Sequence, residues 1–245
     1  MYDYVINDGV RLADQVVTRT KVAKNELMAT GKITIKENNL DLNVDYGVPA
    51  DQLAYTLDLA PTADISAQIQ TLVDTARDKG ITISGMLTSK KNIIKMRKNA
   101  GLQTAINGNV GAGQLIRSAS LNAYLEEEFG IEQVITNDLT YGADSKIGED
   151  GRPIITTKRY FPEDVVTFFA TNPAGKMGVG LWGNPPEVDA VKDLETSPSS
   201  QSPYVYISQW AEKDPAVLWT KASGLFMPVL YNPNSLWIAK VSDEV

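Results

Sequence analysis

The sequence contains no cysteine and no histidine among its 245 residues. The first absence excludes disulfide bonds, thiol nucleophiles and covalent haem attachment. The second excludes imidazole-ligated zinc and a Ser-His-Asp triad. Much of the common catalytic chemistry is therefore excluded before any motif is considered.

Long apolar runs and an excess of positive charge are also missing. No stretch of about 20 apolar residues exists that could span a bilayer, and the first residues, Met1-Tyr-Asp-Tyr, lack the regions of a signal peptide. The 23 basic residues are outnumbered by 30 acidic ones, which gives a net charge of -7. Because phosphate binding relies on clustered Lys and Arg, this balance argues against an adsorptive nucleic-acid surface. We expect a chain that is cytosolic at synthesis, with no membrane partner.

What remains is a composition typical of a folded protein. Apolar residues make up 43% of the chain and charged residues 22%, which is too apolar for intrinsic disorder. The length predicts one large domain or two smaller ones. Ten of the 12 prolines and all four tryptophans follow Arg152. The last third is therefore predicted to consist of strands and loops with few helices.

A 3.6-residue apolar period predicts one long helix over Tyr2–Ala29, with Gly31 as its C-terminal cap. Such a helix would be a rod of roughly 40 Å, close to the width of a domain of this size. Gly9 within it predicts a bend or a later start. Further helices are predicted from about Thr62 or Asp64 to Lys79, after an N-cap at Ser89, and near Ser118–Phe129.

Alternating apolar and polar residues predict a hairpin over Ile33–Tyr46 with a turn at Asn38-Asn39. Other runs of strand character are Ile81–Leu87, Ile131–Thr136, Pro153–Tyr160, Val165–Ala170 and Phe226–Val241. We expect the last of these to pair with elements from the first fifty residues. Pro49–Pro61 is predicted to be a linker, Asp144–Pro153 an exposed loop and Ser197–Pro203 a flexible surface segment. The pattern indicates an α+β body with a peripheral extension.

Two glycine-bearing segments partly match phosphate-binding motifs. In Asn107–Gly113, the pair Gly111-x-Gly113 is followed by Ile116 where a dinucleotide fingerprint needs a small residue. Gly175-Lys176 lacks both the earlier glycine and the following Ser or Thr of a phosphate loop. A structural loop is the better interpretation of each.

Acidic residues form two further patterns. Asp41-x-Asn43-x-Asp45 has the spacing of calcium ligands, but Gly47 is one position late and no glutamate stands at the twelfth place. The alternation of these residues with apolar ones favours the solvent-facing side of a strand. Glu126-Glu127-Glu128 is interpreted as a solvated helix face, because adjacent helical residues diverge too widely to act as a pair.

Basic and aromatic groups offer two remaining candidates for binding. The one basic cluster consists of Lys90, Lys91, Lys95, Arg97 and Lys98. It could contact a polyanion or an acidic neighbour, although a solvated helix face is the simpler interpretation. The four tryptophans and Met227 could line a pocket, but a core or a subunit interface suits large aromatic groups better. We therefore assign no catalytic, cofactor-binding or metal-binding residue and expect no cofactor.

Four stretches in sequence order resemble the lambda-type major capsid protein E family of tailed phages and prophages. The first is Val16–Tyr46, where Thr18–Ile33 leads into Asn43-Val-Asp-Tyr-Gly47. The others are Ala105-Ile-Asn-Gly108, then Phe161–Val166 followed by Gly178–Glu187, and Pro215–Pro233. The likeness covers nearly the whole chain, and its specificity comes from the order of the stretches.

The resemblance implies the Hong Kong 97 capsid fold, an α+β fold with a long spine helix, peripheral-domain strands and an axial α/β domain, and it implies no catalysis. It also implies domains at residues 1–59 (peripheral), 60–210 (axial) and 211–245 (C-terminal strands that return to the body). Family members carry an N-terminal arm and an extended loop before the spine helix, so we expect this chain to be a truncated form. In some relatives a lysine of that loop forms a covalent link to an asparagine of a neighbour, and no residue here is assigned to that chemistry.

The implied function is that of a major capsid subunit, located in the virion and in the host cytoplasm before assembly. It would associate with itself into pentamers and hexamers of a shell that encloses DNA, which it would contact only non-specifically. Scaffold, portal or decoration proteins are further expected partners. Two alternatives remain at this point: a carboxylate-dependent hydrolase, which needs two acids converging in a cleft, and a host-side binding module, which would expose one aromatic patch without self-association.

Overall fold

The computed structural model describes residues 2–37, 40–109, 113–147, 153–186, 188, 195–198 and 202–242. The helices in these ranges are α1 (Tyr2–Thr30), α2 (Ala50–Leu53), α3 (Ile65–Asp78), α4 (Lys90–Lys98), α5 (Ala100–Asn107) and α6 (Ser118–Phe129). The strands are β1 (Lys32–Glu37), β2 (Leu40–Asp45), β3 (Tyr55–Asp58), β4 (Gly85–Thr88), β5 (Gln133–Thr136), β6 (Thr140–Ile147), β7 (Pro153–Arg159), β8 (Val165–Phe169), β9 (Gly178–Gly183), β10 (Glu195–Pro198), β11 (Tyr206–Lys213), β12 (Ala216–Ser223), β13 (Leu225–Leu230) and β14 (Leu236–Ser242).

The chain divides into two compact units. The first contains Met1–Lys24 and Gly178–Val229, and the second contains Asn25–Met177 and Leu230–Val245. These units follow contacts within one copy of the chain. The peripheral and axial boundaries inferred above refer to places in a shell, so they stay predictions.

Helix α1 confirms the predicted rod. Its C-terminal end is fixed by Gly31, whose N–H donates to the carbonyl oxygen of Leu27 at 2.8 Å and whose φ is +70°. A side chain at Gly31 would also bring a Cβ within 3.1 Å of Val48. The helix begins at Tyr2 and runs through Gly9, so the alternative of a start at Gly9 is wrong. A Cβ at position 9 would lie 3.3 Å from the Cδ1 atom of Ile207, in the same unit.

The second unit is built around a mixed five-stranded sheet of order β3-β14-β8-β4-β5. Strand β14 pairs parallel to β3 and antiparallel to β8, while β4 pairs antiparallel to β8 and parallel to β5. Helices α3, α4, α5 and α6 contribute apolar side chains to one buried cluster with this sheet. At its centre are fully buried groups such as Met86, Phe168 and Trp237. Removing this apolar surface from water is the main stabilising term for the unit.

Side chains cap three helices of this unit, and the cap at Ser89 is the one that the sequence predicts. Asp64 accepts from the N–H of Ala67 at the start of α3, and Ser89 accepts from Asn92 at the start of α4. Asn99 performs the same role for α5, where its Oδ1 accepts from Leu102 at 3.0 Å. These bonds satisfy backbone donors that a helix leaves without partners.

The C-terminal strand corrects one prediction. Strand β14 pairs with β3 and β8, and therefore not with the first fifty residues. Its first four residues are all buried, which requires a central place in a sheet rather than an edge. Strand β3 and helix α2 both lie within Pro49–Pro61, so that segment is not a simple linker. Elements of four residues are too short for their periodicity to be read from sequence.

Two predicted loops also contain strands. Residues 144–147 belong to β6, which pairs antiparallel with β7 through Ile147 opposite Pro153. Ser197 and Pro198 belong to β10, opposite Ile207 and Tyr206 of β11. Both stretches are polar, and pairing with a neighbouring strand overrides their weak β-propensity. The hairpin of β1 and β2 is confirmed, and its Asn38-Asn39 turn lies outside the described residues.

Candidate assembly surfaces

The glycine-bearing segment after α5 is tied to that helix on both of its described sides. The N–H of Gly113 donates to the Oε1 atom of Gln103 at 3.1 Å. The Nδ2 atom of Asn107 donates to the carbonyl oxygen of Gln114 at 3.2 Å. The three central residues of the segment lie outside the described ranges. The described contacts fit a structural loop.

The backbone N–H groups of the Gly175-Lys176 turn donate to Asn172, a residue of the same turn. The Oδ1 atom of Asn172 accepts from the N–H groups of Ala174 at 3.0 Å and Lys176 at 2.9 Å. The N–H of Gly175 donates to the carbonyl oxygen of Asn172 at 2.8 Å. Because these three donors are satisfied within the turn, they do not form a phosphate cradle.

The calcium-like spacing on β2 serves cross-strand ion pairs. Asp45 lies opposite Lys32, with 2.8 Å between its carboxylate oxygen and the ammonium nitrogen, and Asp41 lies opposite Lys36 at 3.3 Å. The hydrogen bond from Lys32 lowers the pKa of Asp45, and the N–H of Gly47 acts in the same direction. These pairs are exposed, so they fix the register of the hairpin more than they stabilise it.

The charge clusters are surface features. Glu126, Glu127 and Glu128 are all exposed on α6. On α4, Lys91 pairs with Glu163 at 3.2 Å, and the Nε atom of Arg97 donates to a backbone carbonyl at 2.6 Å. Within the described ranges, no group of three or more acidic residues is placed to hold a metal ion.

Two carboxylates do converge, and both of them bind one guanidinium. Arg159, at the end of β7, bonds to Asp138 and, at 2.8 Å, to Glu163. Asp138 also accepts from the N–H of Lys90 at 3.1 Å. Each of the two carboxylates is thus a partner in an ion pair with the same guanidinium group. This network fastens the base of the β6–β7 hairpin to the start of α4.

The four tryptophans have three different environments. Trp237 is fully buried in the core of the second unit. Trp182 lies in the first unit between two rings, stacked on Tyr204 with centroids 5.5 Å apart and tilted against Phe226 at 4.8 Å. Trp210 and Trp219 are directly opposite each other on β11 and β12, stacked at 6.4 Å, and both are exposed. Only this last pair remains open for contact with another molecule.

The end of the β11–β12 hairpin is exposed on both faces. Every residue from Trp210 to Trp219 is exposed, and the eight cross-strand pairs run without a bulge. Val217 and Leu218 join the tryptophans on this segment with exposed fractions of 36% and 51%. A two-stranded ribbon with apolar groups on both faces lacks a core of its own. We call residues 210–219 the exposed hairpin end.

A second apolar surface lies on the sheet of β9 and β13. Along β9 the alternate residues Val179 and Leu181 are exposed, and Leu225 of β13 is 58% exposed. The opposite side of β9 approaches an aromatic ring so closely that a Cβ on Gly180 would lie 2.6 Å from Phe226. The sheet therefore has one packed face and one apolar face that faces solvent.

These surfaces concentrate the exposed apolar groups of the described chain. Of its 16 exposed large hydrophobic side chains, eight lie between residues 178 and 229, which is about a fifth of the sequence. They are Val179, Leu181, Tyr204, Trp210, Val217, Leu218, Trp219 and Leu225. In the second unit, Leu139, Ile154 and Ile155 around the β6–β7 hairpin are 60% or more exposed. A concentration of exposed apolar side chains is typical of interaction surfaces.

The sequence as a whole matches the family model for phage major capsid protein E over residues 3–241. The chain belongs to the phage major capsid protein E family. No curated protein sequence gives a significant match. Of the described helices, none is both long enough and apolar enough to cross a membrane.

Solved structures extend this assignment to the fold. The structure is similar to a crystal structure described as the capsid protein of a prophage of E. coli CFT073, with a TM-score of 0.58 and 17% identity over 95% of this chain and 65% of that one. The mixed α+β fold of this capsid protein E family member is thus similar to that of a phage capsid structure.

Two further structures show weaker likeness. A phage-related protein of Bordetella bronchiseptica RB50 has a TM-score of 0.46 and 10% identity, covering 78% of this chain and 57% of that one. A structure from Mycobacterium phage Patience has a TM-score of 0.40 and 14% identity, covering 100% of this chain and 66% of that one. The capsid protein E chain therefore spans less than two thirds of the length of each of these three structures.

Sequence reasoning singled out the tryptophans but missed the apolar face of β9 and the isoleucines of β7. The signal for β9 is the alternation in Gly178-Val-Gly-Leu-Trp, where glycine takes the packed face. For β7 the signal is the adjacent pair Ile154-Ile155. Successive side chains of a strand point to opposite faces, so the two isoleucines lie on different sides of the hairpin. Neither signal alone distinguishes a core strand from an interface strand.

Proposed function

We propose that this chain is a structural subunit of a tailed-phage or prophage head, and that it acts by associating with copies of itself. The subunits would form pentamers and hexamers of an icosahedral shell around DNA, with the Hong Kong 97 arrangement of peripheral and axial domains. The protein would reside in the virion after a period in the host cytoplasm. Its surfaces would perform no catalytic step.

The observation that carries this proposal is the concentration of exposed apolar side chains on the strands of the first unit. A subunit that stayed alone would gain nothing from exposing Trp210 and Trp219 at 37% and 48%. Aromatic residues are enriched at protein–protein interfaces, where a few of them supply most of the binding energy. The capsid family supplies the partner, namely further copies of the chain.

The charge of the protein supports the same role. A net charge of -7 keeps separate subunits soluble and repels packaged DNA, so the shell would contact its contents without binding them tightly. Scaffold, portal and decoration proteins are additional partners that we propose from the family alone. The axial contacts would come from residues 60–210.

Assembly is the property to test. The purified chain, and the same chain expressed with the flanking sequence of its gene, are examined by sedimentation velocity and by electron microscopy over a range of concentrations. We expect rings of five or six copies, or closed shells, in at least the second sample. A protein that remains monomeric in both samples at millimolar concentration would contradict the proposal and favour a host-side binding module.

A further inference from the structure

Among the described strands, none lies beside one long edge of the three-stranded sheet of the first unit. Its order is β10-β11-β12, so β12 is the terminal strand on one side. Strand β12 is eight residues long, and each of its residues is in register with β11. An edge strand presents backbone N–H and C=O groups that can pair with another chain.

The two edges of this sheet are protected to different degrees. The opposite edge, β10, has only four residues and ends at Pro198. The β6–β7 ribbon of the second unit is interrupted by a bulge between Gly142 and Asp144. Strand β12 has no bulge, and its one charged residue is Lys221. Proteins that stay monomeric usually shorten, charge or bend such an edge, so the edge of β12 is suited to a partner strand.

The two faces of β12 differ in what lies beside them. Val217, Trp219 and Lys221 share the face that carries the stacked tryptophans. Leu218 and Thr220 share the other face, where they border a cavity of about 240 Å³. The far wall of this cavity is formed by one face of α1, with Asp8, Arg11, Leu12 and Gln15. The cavity is half open and mixed in polarity, so it has room for a side chain from outside.

We propose that β12 pairs antiparallel with β12 of a second copy, about a two-fold axis at Trp219. This inference deepens the proposed self-association and rests on it. An axis perpendicular to the sheet requires each residue to face a residue of the same face, so Val217 lies opposite Lys221 of the second copy. By the same register Leu218 lies opposite Thr220 of the second copy. The two sheets then form one continuous sheet of six strands.

This register suits both faces of the strand. On one face the Trp210–Trp219 stack continues into the same stack of the second copy, which makes a row of four indole rings. Glu212, in register with Val217, lies on the same face as Lys221 of the second copy, one strand further across. On the other face Leu218 of the second copy stands beside Thr220, at the mouth of the cavity. The contact is thus apolar at its centre with opposite charges on its flanks.

The absence of cysteine from the natural chain makes the register directly testable by disulfide formation. Two single variants, Val217→Cys and Lys221→Cys, are purified and oxidised separately and as an equal mixture. In the proposed register these two positions face each other, within the Cα separation that a disulfide spans. Copies of the same variant would place their thiols about 13 Å apart, which is too far. We therefore expect a covalent dimer in the mixture and its loss when either variant is left out.

A second pair and a control complete the design. Leu218→Cys mixed with Thr220→Cys tests the same register on the other face, should either member of the first pair fold poorly. Glu212→Cys mixed with Lys221→Cys is the control, because position 212 is on the inner strand β11 and should give no dimer. Shells or rings that form without a dimer in either test mixture would overturn the inference and leave the proposed function standing. A protein that forms neither would overturn both.

Discussion

Trp219→Ser is the substitution that tests the assembly surface most directly. The indole is 48% exposed on the exposed hairpin end, and its other side stacks on Trp210. A serine at this position keeps the strand and its backbone pairing with β11 but removes the apolar group. Because the site is already half open to water, we expect little change in folding: a loss of about 1 kcal/mol, most of it from the lost stacking.

The effect on self-association should be larger. About half of a tryptophan surface that can reach 250 Å² is about 120 Å² of apolar area, and burying it would contribute ~3 kcal/mol for each copy of the side chain. Each substituted side chain in a contact therefore weakens the association constant about 100-fold. The contribution belongs to the assembled state alone, since the side chain remains solvent-exposed in the free subunit.

Sedimentation velocity over a concentration series measures the association constant, and thermal unfolding of the same samples measures the fold. Leu115→Ser is the matched control, because Leu115 is also exposed, at 54%, but lies outside the first unit. We expect this control to associate like the unaltered chain. Equal weakening by both substitutions, or none by Trp219→Ser in a chain that assembles, would refute the assignment of this surface.

Three further predictions concern the stability of the second unit and the first hairpin. Asn99→Ala should lower the free energy of unfolding by about 3 kcal/mol in chemical denaturation, because it removes one cap hydrogen bond and three hydrogen bonds to loop carbonyls. The exposed cap variant Asp64→Ala, which loses one hydrogen bond, should lower it by only ~1 kcal/mol. Gly85→Ala should cost at least about 2 kcal/mol by the same assay, because its Cβ would lie 2.3 Å from a packed phenyl ring; a cost below that of the Asp64 variant would contradict this. Lys32→Ala should return the lowered pKa of Asp45 toward 3.8 in an NMR titration. In the unaltered chain, the contribution of the Asp45 ion pair to the stability of the hairpin is present above pH 3.8 and is lost as the pH falls through the lowered pKa.

Helices α1, α3, α4 and α6 and the first hairpin could be predicted because their signals are local. Helix α1 repeats its apolar positions over 29 residues, and α6 begins and ends where the sequence indicates. The partner of β14 could not be predicted in this way. The four buried residues of β14 indicate a central strand. The identity of its neighbours, however, depends on pairs of residues that are more than 60 positions apart in the sequence, such as Ile238 and Thr167. Periodicity carries no information about such pairing.

The candidate surface was harder to predict than the fold. Trp237 and Trp219 belong to similar apolar stretches of the C-terminal region, yet one is fully buried and the other is about half exposed. What separates them is the number of layers: β14 is covered by helices, whereas β12 is the edge of a three-stranded sheet. A core strand and an interface strand have the same hydrophobic pattern, because the apolar side chains of an interface also become buried when subunits associate. Only the tertiary structure shows which of these strands leave their apolar side chains exposed.

Two hairpins of this protein fit the assembly that we propose. The β6–β7 hairpin is fastened at its base, where Arg159 joins Asp138 and Glu163, and the far end of the β11–β12 hairpin is exposed from residue 210 to residue 219. In the proposed shell, the fastened base would hold a hairpin in place, and the apolar groups of an exposed end would become buried only on contact with a neighbouring copy. Each such contact would be weak on its own, so misplaced subunits would dissociate and rejoin. A closed shell would become stable because every subunit would make several such contacts at once.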